Sequence, residues 1–289
     1  MKKHLTTIML ILVLIIGLSL ILYPSISNWW NETRSSKVIS DYSELVAKLD
    51  ENEYDQIWAD AVAYNADRAE AANPYLLTPS QKQAYHSVLN PAGNGVMGYI
   101  EIPSIGVTLP IYHTVNEDIL QVAAGHLEWS DLPVGGAGTH CVLSGHRGLP
   151  SAKLFTDLDD LRKGDVFTLR ILDTLLTYEV DQILIVDPGE VKDLRRVPGQ
   201  DLCTLVTCTP YGINTHRLLV RGHRIENTPE AAVIRVTANA VQLDTMIVAL
   251  IAGIPMMIVM VTGLVIISKH RNRRKYRRSL IKNTTTPST

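Results

Sequence analysis

Two long apolar runs bracket this chain and confine its water-soluble fold to the residues between them. Leu5 to Tyr23 is almost wholly apolar and follows Met1-Lys2-Lys3-His4, and Thr245 to Ser268 is a second run of similar character. At about 1.5 Å per helical residue, either run crosses roughly 30 Å of hydrocarbon. A secretory signal would have a shorter apolar stretch leading to a small-residue cleavage site. The first run instead continues through Tyr23-Pro24 into Trp29-Trp30, an aromatic pair suited to a membrane interface. It reads as an uncleaved anchor over residues 5–23, with residues 1–4 as a cytoplasmic N-terminus. The second reads as a transmembrane helix over 245–268, in which Pro255 permits a kink. Lys and Arg are retained on the cytoplasmic side. Lys2 and Lys3 precede the first run, and Lys269, Arg271, Arg273, Arg274, Lys275, Arg277 and Arg278 follow the second within a basic tail, 269–289. A cell-membrane protein is therefore expected, with both termini cytoplasmic, the middle of the chain outside, and the lipid bilayer as a partner.

The formal net charge of −2 conceals a separation of charge along the chain. Ten of the 27 basic residues lie at the two ends, whereas all 29 acidic residues lie between the runs, leaving 17 basic residues there and a formal charge of −12. That balance disfavours nucleic acid and other anionic partners, so no nucleic-acid partner is expected, and it is compatible with a partner presenting lysine. The three cysteines, Cys141, Cys203 and Cys208, are too few for a disulfide framework and leave at least one thiol unpaired. Cys141 and Cys203 read as small buried apolar residues; a bridge between them has no support in their spacing.

Between the runs, two characters succeed one another. Val38, Tyr42, Leu45, Val46 and Leu49, then Ile57, Trp58, Ala61 and Val62, recur at helical spacing among charges, which predicts two helices ending near Asn73-Pro74-Tyr75. A polar loop with a short helix near Gln81 to Leu89 follows, completing a helical region over 31–95. From Val96 the pattern becomes β. Gly98 to Pro103, Val107 to Tyr112, Thr139 to Ser144, Asp165 to Leu172, Leu175 to Asp187, Leu202 to Cys208 and His216 to Arg224 read as short strands. Ser151 to Leu161, with Leu154, Leu158 and Leu161 at helical spacing, is the one expected helix among them. Many short strands at even spacing predict a sandwich or closed barrel over 96–226, with 227–244 as a linker.

Cys208 ends the run Thr204-Leu205-Val206-Thr207-Cys208-Thr209-Pro210-Tyr211-Gly212, where a strand gives way to a turn. Reactive groups concentrate at such strand ends, and a thiol attacks as thiolate only with cationic neighbours or a base at hand. His146 stands in Leu143-Ser144-Gly145-His146-Arg147-Gly148-Leu149-Pro150, again where a strand meets a glycine-rich loop. Arg217 opens the next strand, and antiparallel pairing would carry it beside Cys208. Its planar fork suits an oxyanion and substrate carbonyls in a way lysine does not match. His216 rivals His146 in sequence proximity, but consecutive strand residues face opposite sides, so His216 and Arg217 cannot both enter one site. His113, His126 and His223 read as structural or solvated, and Arg147, Arg221 and Arg224 as surface charges or minor substrate contacts. His140, Cys141 and His146 match no common zinc spacing, so no metal and no cofactor is expected.

With these residues the chain resembles the sortases, and among them the class C, pilus-assembling type of Gram-positive bacteria. The T-L-x-T-C signature with its following arginine stands here as Thr204-Leu205-Val206-Thr207-Cys208 with Arg217. The likeness extends through Thr209 to Gly222, through Gly145 to Ala152 with Leu154-Phe155, and through Met97-Gly98-Tyr99-Ile100-Glu101-Ile102-Pro103. The resemblance implies a mainly β, closed eight-stranded sortase-type barrel with short helices, an N-terminal helical region and a transmembrane helix at each end. It implies Cys208 as nucleophile, His146 as general acid and base, Arg217 at the oxyanion, and substrate contacts at Thr207 and Leu205. The implied reaction cleaves an L-P-x-T-G-like sorting signal of a secreted protein between Thr and Gly through a thioester. An amine then resolves the thioester: a lysine of the next pilin subunit in the class C type, or a cell-wall precursor in housekeeping relatives. Class C members often carry an Asp-Pro-aromatic lid whose acid pairs with the arginine. Asn73-Pro74-Tyr75 stands at the corresponding place, and its asparagine lacks that charge, so a weaker lid is expected. Substrate-length specificity is expected between Val186 and Gln200. A non-catalytic surface scaffold is the reading from a different class.

Overall fold

A computed structural model describes residues 2–71, 73–227 and 262–263. The expected linker from residue 228 onward, the second span apart from Thr262-Gly263, and the basic tail lie outside the described residues. The described residues divide between two compact units, one holding residues 2–26 and the other residues 27–71 and 73–227.

Helix α1 runs Lys2–Val46. In the first unit its apolar side chains, among them Leu12, Val13, Ile16, Leu20 and Ile21, are exposed. Among the described residues this is the one helix long and apolar enough to cross a membrane, with a mean hydropathy of 2.6 over its most apolar stretch. Pro24 falls inside this helix.

In the second unit the end of α1 docks on the barrel through Tyr42, whose hydroxyl donates to the Met97 carbonyl at 2.7 Å and accepts from the Leu172 N–H at 2.8 Å. Helix α2 (Glu51–Ala69) starts with a capping box between Asp50 and Glu53. It buries Ala61, Tyr64, Asn65 and Arg68. The Asn65 amide exchanges two hydrogen bonds with the Leu132 backbone, 2.8 and 3.1 Å, which fixes the helix to the loop before the fourth strand. Helix α3 (Pro79–Ser87) begins at a Thr78 box with Pro79 in the first turn, as its sequence favours.

Eight strands follow: β1 Val96–Ile102, β2 Val107–His113, β3 Ala124–His126, β4 Thr139–Ser144, β5 Val166–Ile171, β6 Thr174–Val186, β7 Asp201–Thr209 and β8 His216–Ile225. They close in the order β1-β2-β3-β4-β7-β8-β6-β5, so the expected eight-stranded barrel is what forms. The β2–β3 and β4–β7 pairs are parallel and the others antiparallel. Inward residues such as Ile100, Leu143, Phe167, Leu169, Leu205 and Val220 fill the main core. A smaller cluster of Val142, Leu194, Val206 and Leu219, with Trp129 and Leu127 against it, forms separately. Val142 and Val206 adjoin Leu143 and Leu205 in their strands, so this second cluster covers the outer face of β4, β7 and β8.

Three elements differ from expectation. The four-residue helix α4 (Glu117–Leu120) and the three-residue β3 are too short to leave a periodic signal. The helix expected over Ser151 to Leu161 reduces to a single 3-10 turn, Leu158–Asp160. Leu154 adopts φ 43°, outside the right-handed helical region. The apolar spacing there is nonetheless used, because Leu154, Phe155, Leu158 and Leu161 are all buried.

Cys141 and Cys203 are register partners across β4 and β7, both free thiols buried in the core. Burial, with the hydrogen bond to Cys203, pushes the Cys141 thiol pKa up, so it stays protonated and inert. His113, His126 and His140 are buried as well. His126 lies between the Tyr85 hydroxyl, 2.9 Å from Nδ1, and the Asp131 carbonyl, 2.8 Å from Nε2. Burial pulls its pKa down to about 3 and also lowers those of His113 and His140. Below the unfolded value of about 6.5 the unfolded chain takes up protons that the folded chain refuses, so stability falls as pH drops from there toward about 3. Thermal unfolding should show Tm declining steadily between about pH 6.5 and 4; a flat Tm across that window would contradict this account.

Candidate active site

The parallel pairing of β4 with β7 decides where the reactive groups lie. Parallel strands end at the same edge, so the segment leaving β4 and the end of β7 emerge side by side. Ser144 is the register partner of Val206, and two steps further along each strand come His146 and Cys208. Two bonds hold the segment there: the Gly145 N–H donates to the Val206 carbonyl at 3.1 Å, and the Thr207 hydroxyl donates to the Gly145 carbonyl at 2.8 Å. On the other side of β7, Cys208 and Arg217 are direct register partners in the antiparallel pair with β8. Cys208 follows Val206 by two residues and therefore shares the outer face of the barrel, where it is partly exposed. His216 pairs with Thr209 and is exposed on the opposite side of β8 from Arg217, with its Nδ1 2.9 Å from the Thr215 hydroxyl.

Gly145 is required at its place by packing. A Cβ there would fall 2.6 Å from the ring of Phe155, a fully buried core residue. Gly145→Ala must displace either that ring or the segment carrying His146. It is expected to cost about 1–3 kcal/mol and to lower activity at temperatures where the fold survives. Urea unfolding alongside an activity assay checks this, and a variant matching the parent in both would refute the packing argument.

The side chains around the three residues are engaged as follows. His146 Nε2 lies 3.3 Å from both carboxylate oxygens of Glu117. The Glu117 carboxyl is held below its ordinary range by hydrogen bonds, first from Gln121 and then from His146. Glu117 thus orients the imidazole, a role that 29 residues of separation hide in sequence. Arg147 is more than a surface charge. Its guanidinium donates to the Thr209 hydroxyl at 3.4 Å, pairs with Asp159 and lies 5.9 Å from the Tyr211 ring centre, tying the His146 segment to the turn after Cys208. Arg217 Nη1 donates to the carbonyls of Asn214 (3.3 Å) and His216 (3.0 Å), which braces the guanidinium at the rim beside Cys208.

Three expected residues take other places. Leu205 is fully buried in the main core and Thr207 is 1% exposed, so neither side chain offers surface to a peptide; Thr207 acts on the Gly145 carbonyl instead. Asn73 does not reach Arg217. Its Oδ1 accepts from the Tyr75 N–H at 3.0 Å, a local turn, while Arg68 bonds the Pro74 carbonyl. The Tyr75 ring packs edge-on against Trp129 with centroids 5.2 Å apart, and its hydroxyl accepts from Arg195 Nε at 3.3 Å. Closure over Cys208 is not among these contacts.

A cysteine, a histidine and an arginine at one strand edge are what acyl transfer through a thioester requires: nucleophile, proton carrier and oxyanion donor. Residues 100–225 match the sortase domain model. Sortase C1 of Streptococcus agalactiae is 50% identical over 66% of this chain and all of that one, with a TM-score of 0.65. The chain belongs to the sortase family. Sortases are cysteine transpeptidases, and the structural neighbours of this sortase are of class C. Sortase C of Streptococcus pneumoniae is 42% identical over 66% of this chain and 98% of its own, with a TM-score of 0.58. Sortase C of Clostridium perfringens, solved with the C-terminal cell wall sorting motif, is 43% identical over 66% of this chain and 100% of its own, with a TM-score of 0.59. Sortase A of Bacillus anthracis is 28% identical over 76% of this sortase and 95% of that protein.

Proposed function

We propose that this sortase cleaves an L-P-x-T-G-like signal of secreted proteins between Thr and Gly and transfers the acyl group to a pilin lysine, building a covalent fibre. The Cys208 thiolate adds to the threonine carbonyl, whose oxyanion Arg217 stabilises. As the C–N bond breaks, His146 gives its proton to the departing glycine amine, leaving a thioester. The lysine amine then attacks the thioester carbon, loses a proton to His146, and releases the Cys208 thiolate.

The observation that carries this reading is the strand register, which puts the His146 segment and Arg217 on either side of Cys208. The choice of a lysine acceptor is supported by the class C neighbours and by the formal charge of −12 between the apolar runs. The proposed topology is a membrane anchor at 5–23, the catalytic domain 96–226 outside, and a second span at 245–268 with a cytoplasmic basic tail, supported by the flanking charges. An anchor near both ends of the catalytic unit holds it close to substrates emerging at the bilayer, raising their effective concentration.

Mixing the full-length protein with a pilin bearing both a sorting signal and a candidate acceptor lysine tests the reading. A ladder of covalent multimers that disappears on Lys→Arg substitution in the pilin is expected. Transfer only to cell-wall precursor amines would instead assign a housekeeping role, the alternative suggested by the sortase A relatives.

A further inference from the structure

An imidazole has two nitrogens, and the hydrogen bond made at one of them decides which carries the proton when the ring is neutral. Nε2 of His146 lies 3.3 Å from each carboxylate oxygen of Glu117. Strand order fixes the side from which that carboxylate arrives. β4 lies between β3 and β7, and Glu117 opens α4, just before β3, whose Gly125 pairs with Ser144 at the end of β4. Glu117 therefore reaches His146 from the β3 side, and Cys208 stands on the β7 side.

The carboxylate is itself held. Gln121, one helical turn on, donates its side-chain amide to Oε1 at 2.7 Å. That bond and the one to His146 keep the Glu117 carboxyl below its ordinary range, hence ionised. A carboxylate only accepts, so Nε2 donates to it and bears a proton. Nδ1 is then the nitrogen left for proton exchange beside the thiol. The Glu117 side chain is 71% exposed, so the core does not depend on it.

We infer that Glu117 is a positioning residue for the reaction: it keeps a proton on His146 Nε2 and makes Nδ1 the nitrogen that exchanges protons with both amines. The inference rests on the reading of His146 as proton carrier. As imidazolium the ring bears both protons. Nδ1 gives its proton to the departing glycine amine, Nε2 retains the other against Glu117, and the neutral ring presents its Nδ1 lone pair to the proton of the attacking lysine amine. The carboxylate also stabilises the imidazolium that forms again. A glutamine at this position makes the opposite demand. Gln121 holds the oxygen of the Glu117→Gln amide, which turns the NH2 group to Nε2, and Nε2 must then accept. The proton of the neutral ring moves to Nδ1, the wrong tautomer for taking a proton from lysine.

The test uses the full-length protein in detergent micelles with Glu117→Ala, Glu117→Gln and, as a charge control at the exposed neighbouring position, Asp118→Asn. Acylation of Cys208 at saturating L-P-x-T-G peptide should fall about fivefold in Glu117→Ala, the scale of an exposed ion pair. It should fall about 10²-fold in Glu117→Gln, with KM nearly constant in both, while Asp118→Asn matches the parent. A structural role alone predicts the reverse order, since glutamine keeps the size of the side chain and the bond to Gln121. Nitrogen NMR of the neutral imidazole, read without peptide and assigned by its loss in His146→Ala, should show Nε2–H in the parent and Nδ1–H in Glu117→Gln. A parent ring protonated at Nδ1, a Glu117→Gln protein at least as active as Glu117→Ala, or a loss in Asp118→Asn equal to that in Glu117→Ala overturns the inference. If His146→Ala acylates as fast as the parent, the proton-carrier reading itself fails and this inference falls with it.

Discussion

His146→Ala is expected to lower the rate of Cys208 acylation by about 10²- to 10⁴-fold, the range over which a positioned proton carrier contributes. The leaving glycine amine must be protonated as its bond breaks, and the register of β4 with β7 brings the His146 segment beside the thiol. His216, the nearer histidine in sequence, is exposed on the other face of β8 and cannot substitute. The variant should keep the parent's thermal stability, because His146 is only partly buried and sits outside the strands. Single-turnover acylation measured by quenched flow reads the loss. A His146→Ala protein that acylates within a few-fold of the parent, or a His216→Ala protein that loses more, would remove His146 from the mechanism.

The second large effect belongs to Arg217→Lys. Charge is conserved, but the planar fork that the proposed oxyanion contact requires is lost. A loss on the order of 10²- to 10³-fold in kcat is expected, as for removal of one oxyanion donor. The backbone carbonyls of Asn214 and His216 hold the guanidinium at one edge through Nη1. A lysine amine has one nitrogen and cannot be braced and donate a fork together. Steady-state kinetics with the sorting peptide distinguishes the roles. A fall in kcat with KM nearly constant supports oxyanion stabilisation, whereas a rise in KM alone would reassign Arg217 to ground-state binding.

The strands that carry the site were legible because each has a strong local signal. Thr139 to Ser144 was expected with the bounds it has, and Cys208 and Arg217 follow from a strand, a turn and a strand read in order. What was hidden depends on contacts between distant segments. Glu117 meets His146 only because the chain inserts α4 and β3 beside β4, and neither element is long enough to register as periodicity. The leucines after Ser151 misled for a related reason: burial at spacings of three and four residues is what a helix shows, yet an irregular loop packed on the barrel buries the same side chains. The family resemblance implies Thr207 as a substrate contact. Alternation along β7 turns it inward, where its hydroxyl holds the Gly145 carbonyl.

The most direct measurement is the intact mass of the full-length protein after brief reaction with an L-P-x-T-G peptide. The account predicts an adduct equal to the peptide truncated after threonine, mapped to Cys208, discharged by hydroxylamine and absent from Cys208→Ala. No adduct with any motif variant or at any pH, or an adduct that persists in Cys208→Ala, would contradict it.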